Sequence, residues 1–213
     1  MEKMENFVLR NRKRIIGLIT AGLVFSLTFG LSGLPVVAQE EELEEDITVS
    51  AVIEAWINLE IAPTELELGQ LVLPDGTTAV GTDLSVISVG TNSSDGWNLQ
   101  MQGANDGLFS TDADHTIASV TERTEIVDGV DGYGAAVEAL EGYGDLAIDP
   151  DYDFDGTFAG PIQSAEQTQF VSRSEPNALE PIMNFHVFGA ADQASPSADD
   201  YQDVITITAT TGL

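Results

Sequence analysis

Between Ile47 and Ile61 the apolar residues fall on alternate positions. Ile47, Val49, Ala51, Ile53, Ala55, Ile57, Leu59 and Ile61 share one parity, while Thr48, Ser50, Glu54, Asn58 and Glu60 occupy the other. A period of two places one set of side chains on each face of an extended chain, so this run predicts strand rather than helix. It is longer than an ordinary strand, which implies one long bent strand or two in succession. Pro63 interrupts it, and Glu65-Leu66-Glu67-Leu68-Gly69 starts a second alternating run.

The same reading continues downstream. Pro74-Asp75-Gly76-Thr77 predicts a turn, and Leu84–Val89 a strand. Asn92-Ser93-Ser94-Asp95-Gly96 carries an Asp-Gly hairpin signal, after which Trp97, Leu99 and Met101 alternate with polar residues. Ile117–Val120 and Thr124–Val127 are weaker strand candidates; Gln169–Ser172, Ile182–Phe188 and Val204–Ala209 are clearer ones. Asp128–Gly160 reads differently. Gly132-Tyr133-Gly134 recurs as Gly142-Tyr143-Gly144, and Ala135–Leu140 between them is the one helix candidate after the N-terminal region. This stretch, about 128–160, is expected to be a long inserted loop. Short, turn-punctuated strands with almost no helix predict an all-β fold, an antiparallel β-sandwich of the Ig-like or jelly-roll-like kind spanning residues 47–213.

The first 38 residues change the picture of where this sandwich resides. Arg10, Arg12, Lys13 and Arg14 precede an apolar stretch, Ile15–Leu34, and Pro35-Val36-Val37-Ala38 supplies a helix break and a small residue at a cleavage edge. Residues 1–38 therefore read as a signal peptide, its apolar part helical, and residues 39–46 (QEEELEED) as a flexible acidic leader. The alternative is an uncleaved anchor, since residues 15–34 are long enough to span a bilayer. With the basic residues ahead of the apolar segment, either reading puts the remainder outside the membrane. The expected location is secreted, at the extracellular cell surface.

Charge sharpens this. The chain has 36 acidic and seven basic residues, and only Glu2 and Glu5 of the acids precede residue 39. Five of the basic residues lie in the signal, which leaves Arg123 and Arg173 as the only cations beyond it, with no lysine. Nucleic acid is excluded as a partner, because binding it requires cations against phosphates. Such an excess keeps a protein soluble but makes it repel itself, which salt or bound divalent cations relieve. A saline habitat or calcium would account for it. The absence of cysteine excludes a disulfide scaffold, and the length suffices for a core without one. Without lysine after residue 38, isopeptide cross-links and sortase-built pili lack their amine. No LPxTG-like motif or apolar tail stands before Thr211-Gly212-Leu213, so a cleaved chain is expected to be held non-covalently.

Candidate chemistry is sparse. There is no Gly-x-Ser-x-Gly turn and no cysteine, and the two histidines, His115 and His186, stand without a motif. A two-carboxylate glycosidase remains open on acid count alone. The expectation is that the protein is not an enzyme. Asp149-Pro-Asp151-Tyr-Asp153-Phe-Asp155-Gly156-Thr157 is the sharpest local signal. Oxygens at alternate positions before a glycine match the opening of an EF-hand-like calcium loop, with Asp149, Asp151, Asp153, Asp155 and Thr157 as candidate ligands. Counted from Asp151, position twelve is Ile162 rather than glutamate, so closure would fall to a residue such as Glu166. A solvated acidic turn explains the same residues. Asp112, Asp114 and His115 form a second candidate metal group, against a reading as surface residues. His186 has the opposite parity to its apolar neighbours, facing solvent or the partner sheet.

Leu66-Glu67-Leu68-Gly69, the strand Leu84–Val89, and Asn92–Gly96 followed by Trp97-Asn98-Leu99 together resemble the WxL surface domain of Gram-positive bacteria. The resemblance implies a secreted β-sandwich that associates non-covalently with the cell wall, with Trp97 and Leu99 as the matching motif residues. A second Trp-x-Leu is absent from the final segment, Tyr201–Thr208. That ending is similar to the last strand of spore-coat, pilin-like and biofilm-matrix fibre subunits. Trp97 and Leu99 are either core residues or, if exposed, a ligand platform. Three roles are thus expected: a structural or adhesive envelope protein, a fibre subunit assembled by strand exchange through Ile47–Ile61, or a calcium- or glycan-binding module. The partner is accordingly a cell-envelope polymer or further copies of the chain.

Overall fold

The computed structural model describes residues 50–143 and 145–211. The expected signal peptide (1–38), the expected acidic leader (39–46), the first residues of the alternating run and Gly144 lie outside them. The compact unit that begins at Ala51 is all-β, and its described residues contain no helix.

Two four-stranded antiparallel sheets form the body. The first runs in the order β1 (Ile57–Ala62), β2 (Gly81–Thr91), β11 (Asn177–Ala190), β7 (Gly132–Ala139). The second runs β12 (Ile205–Thr211), β3 (Trp97–Gly103), β10 (Thr168–Arg173), β8 (Ala147–Ile148). Two smaller ladders join β4 (Gly107–Ser110) to β5 (His115–Ala118) and β6 (Thr124–Glu125) to β9 (Phe158–Ala159). The main core lies between the large sheets. Ile87 and Val89 of β2, Val137 of β7 and Met183 and Phe185 of β11 pack with Trp97, Leu99 and Met101 of β3 and Phe170 and Val171 of β10. Their alternation along each strand is the sequence's period of two expressed as two faces.

The long alternating run is strand only over its second part. β1 pairs with β2 from Ile57↔Thr91 to Ala62↔Val86, because β2 ends at Thr91 and offers no ladder beyond. Ala51–Trp56 is not strand, and Val52 and Ile53 are 91% and 85% exposed. Glu65–Gly69 is irregular as well. Its alternation reflects Leu66 and Leu68 packing on the core from a connecting segment.

The Asp-Gly turn is not a hairpin. It carries the chain from β2 in one sheet to β3 in the other. Gly96 is required there: its φ is +70°, and a Cβ would stand 1.9 Å from the Arg173 carbonyl oxygen.

The expected helix Ala135–Leu140 is strand β7, and the expected inserted loop 128–160 supplies β7, β8 and β9. The alanines mislead because they read as helix formers. Here they are small because both faces of β7 are covered. Tyr133, Ala135 and Val137 face the main core. Gly134 abuts the Gly160 carbonyl, and Ala136 is buried in a second cluster with Ile126, Ala159, Phe188 and Ala190. Residues 120–160 thus wrap the outer face of the β7–β11 pair.

Candidate functional site

The candidate calcium loop follows β8. Asp149 starts it as a turn, its side-chain Oδ1 accepting from Asp151 N at 2.9 Å and its carbonyl from Tyr152 N at 2.8 Å. Beyond, the chain runs extended beside β7, with Val137 N donating to Tyr152 O at 2.6 Å and Phe154 N to Val137 O at 3.0 Å. Alternation then decides the carboxylates' direction. Tyr152 is fully buried, its hydroxyl donating to Pro161 O at 2.8 Å, and Phe154 joins the second cluster; Asp151, Asp153 and Asp155 point the other way and are exposed. Burial pushes the Tyr152 hydroxyl up to about 12, with Asp149 adding to the shift. Asp155 is engaged by Arg123 at 2.6 Å, and the same guanidinium donates to Asp153 O at 3.2 Å and lies 4.7 Å from the Phe158 ring centroid. Thr157 Oγ1 donates to Glu125 at 3.3 Å rather than turning inward. Among the described residues no group of three or more His, Asp or Glu side chains is gathered as a metal site. The arrangement is an acidic ribbon laid along β7 and pinned at its end by an arginine.

Asp112, Asp114 and His115 lie on the β4–β5 turn, where Asp114 adopts a positive φ of 49°. The turn is organised by Asp200. Its carboxylate accepts from the Ser110 hydroxyl, from Thr111 N at 2.9 Å and from Asp112 N at 3.0 Å. These bonds hold Asp200 below the usual carboxylate range, the Ser110 hydroxyl contributing most. His115 Nδ1 meets the Tyr201 hydroxyl at 3.1 Å, and that hydroxyl spends its one proton on Pro196 O at 2.9 Å. The shared contact therefore assigns the imidazole proton to Nδ1. Histidine and aspartates here fasten the segment before β12 to the β4–β5 hairpin.

His186 faces away from the main core, yet it is only 9% exposed. The Phe154 ring stacks on it at 4.2 Å, and its Nε2 lies 3.5 Å from Glu138 Oε2. Burial lowers its pKa, and Glu138 partly opposes that shift. Neither solvent nor the other sheet covers it; residues 120–160 do, which alternation alone does not reveal.

Trp97 and Leu99 are fully buried. Trp97 Nε1 donates to Asn177 Oδ1 at 2.9 Å, and Asn177 Nδ2 donates to Val89 O at 2.6 Å. The motif residues thus join the two sheets and contribute to any surface only by holding it in shape.

Three features have no motif in the sequence. Asn92 receives Trp56 N on its Oδ1 at 2.8 Å and donates from Nδ2 to Glu54 O at 2.9 Å, clasping the chain just ahead of β1. Asp203 is half-buried beside Tyr133. Burial raises its pKa, although Asn105 N donates to it at 2.9 Å. Arg173, with Arg123 one of the two arginines after residue 38, pairs with Asp145 at 2.9 Å beside the Tyr143 ring. Alternation flagged the apolar residues around these groups, but only the tertiary structure brings their partners together.

No protein-family model matches the chain, and no curated protein matches it. The fold itself defines the class: an antiparallel β-sandwich with an acidic exterior.

Proposed function

We propose that this chain is a non-enzymatic extracellular protein of the cell surface, structural or adhesive, held to the envelope without covalent bonds in the manner of a WxL-like domain. One observation carries the reading. Arg123 and Arg173 are both engaged within the chain, by Asp155 and Asp145, so the outward field comes from unneutralised carboxylates. Such a surface suits display in bulk solvent and rejects polyanions. Attachment therefore has to use apolar and neutral polar contacts. The exposed apolar residues Val52, Ile53 and Trp56 stand at one place, just after the acidic leader.

Sedimentation with isolated cell walls tests this. Protein purified from cells expressing the full chain is expected to pellet with walls at moderate salt and to be released by urea without covalent remnants. Protein that stays in the supernatant at every salt concentration contradicts the envelope role.

A further inference from the structure

The sandwich is unfinished along one side. β1 and β12 are terminal strands of their sheets, and they approach one another without hydrogen-bonding. Among the described residues, each leaves its outer backbone edge unpaired. The side chains tell the same story. Ile87, Val89, Leu99 and Met101 of the neighbouring strands are at most 1% exposed, while Ile57, Leu59 and Ile61 of β1 and Ile205 and Ile207 of β12 are only half-buried. A groove of about 1370 Å³ opens beside this seam, with Leu66, Leu68, Phe185, Val187, Ile205 and Ile207 in its lining.

Ahead of β1 stands a segment of matching character. Ala51–Trp56 has no regular secondary structure, and in the sequence Ile53 continues the parity of Ile57, Leu59 and Ile61. In the sequence that alternation reaches back to Ile47, with no acid between Ile47 and Ile53. Ala51–Trp56 carries a single acid, Glu54, so in a chain so rich in carboxylates it meets little repulsion from a second copy. Its direction excludes its own seam as the natural target. Asn92 follows the last residue of β2, so its clasp on Glu54 and Trp56 carries the chain past the end of the sheet. No glycine or proline stands between Ala51 and Ile61 to turn it back.

We propose that Ala51–Trp56 adds as a strand to the β1–β12 seam of a second copy of this chain. Main-chain hydrogen bonds to the open edge give the attachment, and alternate side chains such as Ile53 enter the groove. The contact is head-to-tail rather than self-complementary, so its repetition builds a chain of copies, open as a filament or closed as a ring. The inference rests on the surface reading for its setting but names its own partner. Carboxylate repulsion opposes each contact, so assembly is expected to rise with ionic strength as the screening length falls from about 10 Å at 0.1 M salt to about 3 Å at 1 M.

The chain's lack of cysteine gives a clean test. Copies carrying Val52→Cys are mixed with copies carrying Thr206→Cys, Thr208→Cys or Thr210→Cys at high salt, and sedimentation is followed in parallel. The expected result is an intermolecular disulfide with at least one of the three, and salt-promoted oligomers. Ile53→Asp weakens oligomerisation by about tenfold or more while leaving the thermal midpoint unchanged, since Ile53 is 85% exposed in the single copy. A protein that remains monomeric at every salt concentration overturns the proposal. So does cross-linking confined within single chains carrying both cysteines. A monomer that still pellets with cell walls removes strand addition alone and leaves the envelope role standing.

Discussion

Trp97 of β3, fully buried, and Asn177 of β11, half-buried, connect the two sheets through a 2.9 Å hydrogen bond. The bond is doubly placed, because Asn177 also donates to Val89 O on the neighbouring strand. Trp97→Phe keeps an aromatic side chain in the core but leaves the Asn177 oxygen without its donor, which costs about 1–3 kcal/mol. Urea denaturation of Trp97→Phe, Asn177→Ala and the double variant checks this. The two single effects are expected to be less than additive, with a coupling of about 1 kcal/mol.

Asp203 is half-buried near Tyr133, and its partial burial raises its folded pKa above the ordinary carboxylate value. In the folded state the ionised form is the disfavoured one. Its cost is therefore present above the folded pKa and disappears as pH falls below the unfolded value of about 3.9. Asp203→Asn is expected to be neutral to stabilising at pH 7, with any advantage lost by pH 3.5. Denaturation midpoints of both proteins across that range decide it. A variant destabilised more at pH 7 than at pH 3.5 has the wrong sign.

These partly buried polar groups mark where the sequence stops being informative. The strands around Ile87, Leu99 and Ile207 were legible, because their apolar residues share one parity and face the core, whereas β11 from Phe185 to Ala190 is covered on both faces. β7 was not, since Gly134 and Ala136 are small for lack of room beneath residues 120–160, and smallness carries no periodic signal. The Asp-Gly signal located the turn before Trp97 but not the sheet to which the chain then crosses. For the candidate site, the alternation of Asp149–Asp155 was legible, but its cause lies in the burial of Tyr152 and Phe154 between the carboxylates. Asn92, Asn177 and Asp203 act on partners far away in sequence, and no local pattern announces them.

His186 reports on the covering of the β7–β11 face. Its folded pKa lies below the unfolded value of about 6.5, so the neutral ring belongs to the folded state. The unfolded chain binds more protons as pH falls through 6.5, and stability declines until the folded pKa is passed. The native protein is expected to lose stability relative to His186→Gln between pH 7 and pH 5. Parallel pH dependence of the two proteins contradicts the burial of this ring beneath Phe154.

Gly96→Ala tests the crossover between sheets. A Cβ there meets the Arg173 backbone, and a left-handed φ adds about 1–2 kcal/mol of its own. Since backbone cannot yield like a side chain, the total loss is expected to exceed about 3 kcal/mol. Gly142→Ala, where a Cβ meets nothing but φ is +96°, is expected to lose only the conformational part. The difference between their thermal midpoints isolates the clash.

Labelling of intact cells with a membrane-impermeant, carboxylate-directed reagent tests the proposed display on the outside of the cell most directly. The chain is expected to be labelled on intact cells to the same extent as after lysis, because its acidic surface faces the medium. Labelling that appears only after the cells are broken contradicts the claim.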